Sequence, residues 1–231
     1  MKNLKERIYQ ILECRLLVYG FEKKKLDNYV RIINNNVLQN VVFSYATHSK
    51  KNAVYFNPIV GVIYKDIDSM MVALKELNIS RTQTFTPMIG CPIGSLMPVK
   101  TFKEWKFTKN EPIDETANEM ADFIIKYGIP YLDMLSNEEN LVYGMEVGSL
   151  GSDMRDYVLP ILYYIRGNTE KALSFLDEVI KRRTLDFPID EYKAMQAIYG
   201  EDAIQIPPNK ELDSYLPFVE NFKKFLSENS L

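Results

Sequence analysis

Residues 29–64 read YVRIINNNVLQNVVFSYATHSKKNAVYFNPIVGVIY, and this stretch decides the fold. Three segments, Tyr29 to Ile33, Val37 to Thr47 and Val54 to Tyr64, are rich in the β-branched and aromatic residues that suit a pleated, half-buried surface. Asn34-Asn35-Asn36 separates the first two, and His48-Ser49-Lys50-Lys51-Asn52 separates the others. Asn tolerates positive φ and bonds to its own backbone, so the first link reads as a turn. Links this short join antiparallel neighbours, whereas a parallel pair needs a crossover of about a dozen residues or more. The stretch predicts an antiparallel meander and excludes a doubly wound sheet.

Towards the N-terminus, Leu4, Ile8, Ile11, Leu12 and Leu16 recur at helical spacing, with Gly20 placed to end the helix in a left-handed turn. In the other direction, Asp68 is expected to cap a helix carrying Met71, Leu74 and Leu77. Two further strands are expected near Thr82–Thr86 and Phe102–Phe107. Trp105, the single tryptophan, alternates with Phe107 between Lys103 and Lys106, so its indole is expected inside with an N–H partner.

Beyond residue 110 the period changes. Ala117, Met120, Ala121, Ile124 and Tyr127 mark one face of a helix that is expected to stop at Gly128, with Pro130 beyond. Ser136 followed by Glu139 is a capping-box pattern before Leu141 and Val142. Asp153 is expected to open a helix lined by Met154, Val158, Ile161, Leu162 and Ile165, kinked at Pro160 and ended by Gly167. Thr169 then starts a second helix with Ala172, Phe175, Leu176, Val179 and Ile180, and the short Gly-containing link makes the two an antiparallel hairpin. A last helix is expected from Ser214, with Val219, Phe222 and Leu226 inward. The class is α+β: an N-terminal helix, an antiparallel sheet of four to five strands, then a mainly helical half with an αα-hairpin. Ile33, Val42, Phe56, Val60, Ile124 and Leu162 are the expected core between sheet and helices. The chain divides into a sheet region, 1–110, and a helical region, 111–231, which together can form one continuous domain.

Charge divides at the same place. Residues 1–110 carry 17 Lys/Arg against 8 Asp/Glu, and residues 111–231 carry 11 against 23, so a total of −3 hides a basic and an acidic half. No run approaches the roughly 18 apolar residues of a membrane span, and the first residues become amphipathic without an apolar signal core. A cytoplasmic location without membrane association is expected, consistent with only two cysteines, Cys14 and Cys91.

Catalytic motifs are missing. The chain has no Gly-rich phosphate loop, no Gly-x-Ser-x-Gly and no His-Glu-x-x-His. With one His and two Cys, neither a metal nor a cofactor is expected. Cys91 with His48 is the best nucleophile–base pair, but a small residue in the turn Gly90-Cys91-Pro92 and a polar loop residue are the plainer readings. The carboxylate pairs Glu138 with Glu139, Asp153 with Asp156, and Asp66 with Asp68 read as helix-start charges rather than as an acid and a base. The expectation is a protein without catalytic activity.

Gly20-Phe21-Glu22-Lys23-Lys24, the alternating strands, Ile89-Gly90 and Leu96-Met97-Pro98 ahead of Trp105 resemble a bacterial family of unknown function with this layout. The hairpin around Leu159 to Ala172 resembles that family's C-terminal helices, which are similar to one tetratricopeptide hairpin. The resemblance covers roughly residues 4–182. It implies an immunity protein that neutralises a toxin of a neighbouring cell. The charge of residues 133–156 offers a surface for a basic partner, with Asp133, Glu138, Glu139, Glu146, Asp153 and Asp156 as the acidic patch and Tyr143 and Tyr157 as anchors, the plainer alternative being an ordinary solvated helix face. Three other readings stand beside it. Lys23, Lys24, Lys25, Arg31, Lys100, Lys103 and Lys106 could track nucleic-acid phosphates, against the acidic total. A small-molecule site could lie between the halves. The two charges could also face each other, within a monomer or across a homodimer.

Overall fold

The computed structural model describes residues 2–25, 27–48, 52–74, 89–108, 110–150 and 154–229. It is α+β, with an N-terminal helix, an antiparallel sheet and a mainly helical C-terminal half. Two compact units form, one from residues 1–68 and 79–154 and the other from 69–78 and 155–231. The compact units therefore do not follow the charge divide at residue 110.

The first unit opens with helix α1 (Lys2–Leu17), followed by strands β1 (Glu22–Lys25), β2 (Asn28–Ile32), β3 (Val37–Ala46) and β4 (Ala53–Tyr64). These pair as an antiparallel meander, β1-β2-β3-β4. Gly20, at φ 81°, makes the left-handed turn that α1 needs to hand over to β1. Helix α2 (Lys65–Leu74) follows β4, its first four residues in the first unit and the rest in the second. Asp68 lies inside its first turn rather than at its cap, which is supplied from β3's approach: Asn36 accepts from the Asp66 N–H at 3.1 Å through its side chain and from the Lys65 N–H at 3.0 Å through its carbonyl.

Two short strands share the far edge of β4. Strand β5 (Ile89–Pro92) pairs with Ile59 to Val62, and β6 (Trp105–Thr108) pairs with Ala53 to Phe56. Pro58, which has no N–H to offer a ladder, falls in the gap between them. The sheet thus has six strands, against four to five expected; the strand expected near Thr82–Thr86 and the residue Leu77 lie outside the described residues. Gly90 lies opposite Gly61, and a Cβ on Gly90 would stand 2.5 Å from the Val60 carbonyl oxygen. Gly90→Ala is expected to destabilise the protein by about 1–3 kcal/mol, read as a lower urea midpoint. An unchanged midpoint would mean that β5 can move off β4 freely.

Helix α3 (Ile113–Phe123) passes through a π-helical turn, Ile124–Gly128, into α4 (Ile129–Leu135), and α5 (Glu138–Glu146) follows. The expected stop at Gly128 does not occur. Gly128 keeps helical dihedrals, and its missing side chain leaves room for β4 and for the 3-10 turn Ile93–Leu96 after β5: an added Cβ would sit 3.1 Å from Val60 and 3.0 Å from Ile93. The glycine serves close packing, and Pro130 is tolerated because it falls in the first turn of α4.

These helices cover the sheet face that carries Tyr29, Val41, Phe43, Phe56, Val60 and Val62, all buried. The Tyr29 hydroxyl donates to the Tyr9 carbonyl of α1 at 3.2 Å, and the Tyr64 hydroxyl donates to the Leu135 carbonyl of α4 at 2.8 Å. Tyr9, Phe43, Phe56 and Phe107 meet edge to face. Of the expected core, Phe56, Val60 and Ile124 are in place. Ile33 is not: it follows β2 into the asparagine turn and is 42% exposed. Val42 points to the opposite sheet face and is only half-buried, because Phe43 takes the inward position. Leu162 is buried, but within the second unit.

The second unit holds α6 (Arg155–Ile165), α7 (Thr169–Leu185), α8 (Ile189–Tyr199) and α9 (Lys210–Asn229). The link between α6 and α7 turns at Gly167, φ 76°; Thr169 begins α7 as expected, and Asn168 before it caps the helix by accepting from the Lys171 N–H at 3.0 Å. The predicted hairpin is therefore present, with Pro160 inside α6. The last helix begins four residues before Ser214, and Val219, Phe222 and Leu226 are buried with Tyr215 and Phe218.

Candidate functional site

The residues of the expected acidic patch separate into two groups. Asp133, Glu138, Glu139, Tyr143 and Glu146 lie on α4 and α5 of the first unit, whereas Asp156 and Tyr157 belong to the second; Asp153 lies outside the described residues. Asn137 caps α5, accepting from the Asn140 N–H at 3.0 Å. The expected capping box at Ser136 is not formed, because Ser136 is drawn back onto α4: its hydroxyl donates to the Leu132 carbonyl at 2.7 Å and accepts from Gln39 at 2.8 Å. Gly144 packs against Leu150, so one side of α5 is tied down while Glu139, Tyr143 and Glu146 lie exposed on the other. Spaced four and three residues apart, these three form one stripe, which Val147 extends.

Asp133 has partners within its own unit. It pairs with Arg31 and accepts from Gln39 at 3.0 Å. Arg7 grips Asp114 through two bonds of 2.8 and 2.7 Å, and Arg15 pairs with Asp122 and donates to Asn118. Each pair joins a cation of residues 1–110 to an anion of residues 111–231. Counted over the compact units, the first carries 17 Lys/Arg against 17 Asp/Glu and the second 11 against 14. The strong asymmetry along the chain is thus neutralised inside the first unit, as the internal-pairing reading anticipated. Being largely exposed, such pairs orient the helices more than they stabilise them.

The basic residues are occupied in the same way. Lys23 pairs with Glu13, Lys24 with Glu22 and Lys106 with Glu111. Lys23, Lys24 and Lys25 line β1, the outer strand of the sheet, where lysines discourage pairing with another chain's edge.

Asp156 and Tyr157 are not surface contacts. Asp156 is 8% exposed and is held by two guanidinium groups: Arg182 donates to both carboxylate oxygens at 2.7 Å, and Arg183 donates to Oδ2 at 2.7 Å. Tyr215 donates to the Asp156 carbonyl at 3.0 Å, and the Arg183 guanidinium lies 4.6 Å from the Tyr215 ring centre. Tyr157 packs edge-on to Tyr215 and Phe218. An acid buried at the start of so apolar a helix requires cations beside it, and Arg182 and Arg183 supply them from α7. Burial alone would push the Asp156 carboxyl up, but the hydrogen bonds and charges of Arg182 and Arg183 outweigh it and hold the carboxyl below its ordinary range.

Arg183 also roots the segment between α7 and α9. It donates to the Glu211 carbonyl at 2.7 Å, while Asn209 donates to the Arg183 carbonyl at 2.9 Å. Between these anchors, Asp186 to Pro208 form an arm containing α8, which buries none of its residues. A cavity of about 410 Å³ opens at the root, lined by Arg183, Phe187, Pro188, Pro208, Lys210 and others. Each of the three Arg183 nitrogens donates within the protein, and among the described residues Lys210 lines the cavity together with Asp186 and Glu211.

The nucleophile pair is not assembled. Cys91 has Tyr131 as its hydrogen-bonding partner, and burial pushes its thiol up, which opposes a reactive thiolate. His48 sits on an exposed turn at φ 45°, 3.0 Å from Glu104 and edge-on to Tyr55. Among the described residues of the carboxylate pairs, Asp68 is pushed up to about 7 by burial and then by Asp66. Among the described residues no three His, Cys, Asp or Glu side chains converge as metal ligands, and no helix is long and apolar enough to cross a membrane. No family model, curated protein or solved structure matches the chain.

Proposed function

We propose that the chain is a non-enzymatic protein-binding protein of the immunity type, which neutralises a toxin by engaging a basic domain of it. The observation that carries this reading is the α5 stripe, where Tyr143 stands 67% exposed between Glu139 and Glu146. A tyrosine supplies a large amphipathic anchor, and flanking acids steer a basic partner towards it and penalise an acidic one. The nucleic-acid reading is less well supported, since Lys23, Lys24, Arg31 and Lys106 each spend their charge on a carboxylate of this chain.

The test asks whether the gene immediately upstream encodes a large secreted protein and, if it does, titrates that protein's purified C-terminal domain against the full chain by calorimetry at low salt; the lack of such a gene would count against the reading. Glu139→Lys combined with Tyr143→Ala and Glu146→Lys is expected to weaken binding about a hundredfold or more. Its stability should change little, since exposed substitutions cost about 0.5 kcal/mol each. No association of the parent pair, or equal affinity of parent and variant, would refute the proposal.

A further inference from the structure

Helix α8 carries apolar surface that the second unit does not use. Its inner side is engaged, with Tyr192 stacked on Phe187 at 6.0 Å and Gln196 donating to the Ile204 carbonyl at 2.8 Å. At about 100° per residue, Ala194, Met195, Ala197 and Ile198 lie on an arc away from Gln196, with Ile198 73% exposed; Tyr199, seven residues after Tyr192, shares that residue's side of the helix but is 66% exposed at its end. A helix of eleven residues is marginal by itself in water and normally gains its stability from burying such a face. The arc is bracketed by acids: Asp190 and Glu191 in the first turn, Glu201 and Asp202 just past Gly200. From Asp186 to Asp202, five carboxylates face one cation, Lys193.

We propose that α8 is a docking helix for a basic amphipathic helix of another protein. The partner's apolar side packs on Ile198 and Met195, with Tyr199 at the margin of the face, and Ala194 and Ala197 let its backbone come close. Its Lys and Arg residues meet the acids at either end. Charge selects this occupant: a second copy would bring the same acids against each other, and an anionic membrane surface would be repelled as well. The anchors of Arg183 on Glu211 and Asn209 on Arg183 hold the arm's root, which limits the ordering that docking requires. This surface lies in the second unit and is independent of the α5 stripe.

The probe is a fluorescent peptide of about 18 residues, long enough to be helical, built of Leu and Lys at helical spacing, with a Leu/Glu counterpart as control. Anisotropy titration with the full chain is expected to show binding of the Leu/Lys peptide and little of the Leu/Glu one. Ile198→Asp, and Ile198→Gln as a variant that retains helix propensity, should each weaken it at least about tenfold. Weakening by the combined Glu139→Lys, Tyr143→Ala and Glu146→Lys variant but not by the Ile198 variants would place the peptide on α5 and overturn the proposal. Asp190→Lys with Glu191→Lys should shift preference towards the Leu/Glu peptide. Equal binding of both peptides, no effect at Ile198, or dimerisation of the chain alone that Ile198→Asp abolishes would each overturn the proposal.

Discussion

Replacing Asp156 with alanine is expected to cost about 3–5 kcal/mol of unfolding free energy. The loss comes from what the substitution leaves behind more than from what it removes. Among the described residues, Arg183, largely buried, would keep its charge facing the Glu211 carbonyl and the Tyr215 and Tyr157 rings, and Arg182 would lose both of its carboxylate bonds. Arg182→Ala should cost less, because Arg183 still neutralises the acid. The effect carries a pH signature. The Asp156 carboxyl is held below its unfolded value of about 4, so its contribution is complete above that value and is lost as pH falls through the lower folded one. The parent should therefore lose stability on the acid side, and Asp156→Ala should approach it there. Urea unfolding of both proteins at pH 7 and at pH 3 checks this, and a constant gap between them would contradict the ion-pair account.

Trp105→Ala is expected to be of similar size, about 3–5 kcal/mol. The indole is 2% exposed, opposite Phe56 in the β4 ladder and edge-on to Phe123, with the Lys103 ammonium 5.1 Å from its ring. The expected N–H partner is not found: Nε1 is buried without a hydrogen bond among the described residues. An orphaned donor costs about 1–3 kcal/mol, so Trp105→Phe, which removes it while keeping a ring, should cost far less than Trp105→Ala. Thermal melts of the two variants decide the matter. A Trp105→Ala protein that melted like the parent would rule out a structural role.

The meander was legible in residues 29–64 because turn chemistry, strand propensity and link length all point one way there. Strand β1 was not, since Glu22-Lys23-Lys24-Lys25 has none of the apolar alternation of a half-buried strand; it is a sheet edge, where lysine is useful for reasons that hydropathy does not encode. Gly128 was misread because a glycine near a proline signals a helix stop, whereas here its missing side chain admits Val60 and Ile93. The candidate surface was half legible. Glu139, Tyr143 and Glu146 share a face as helical spacing predicts, but the sequence count of acids could not distinguish Asp156, buried between two arginines, from an exposed one. Nor could it show that Arg7, Arg15 and Arg31 neutralise acids more than 100 residues away in the chain. The α8 arm went unnoticed because its signals, acids in the first turn and Gly200 at the end, specify a helix without revealing that its apolar side stays open.

The central claim is that the chain meets a basic protein through the exposed acidic and aromatic face of α5, while its basic residues serve the fold. Hydrogen–deuterium exchange on the chain alone and in complex with the upstream-encoded domain tests it most directly. The account predicts slowed exchange across Glu138–Glu146, with β1 and β2 unchanged. Protection confined to Glu22–Lys25 and Asn28–Ile32, with α5 exchanging as in the free protein, would contradict it.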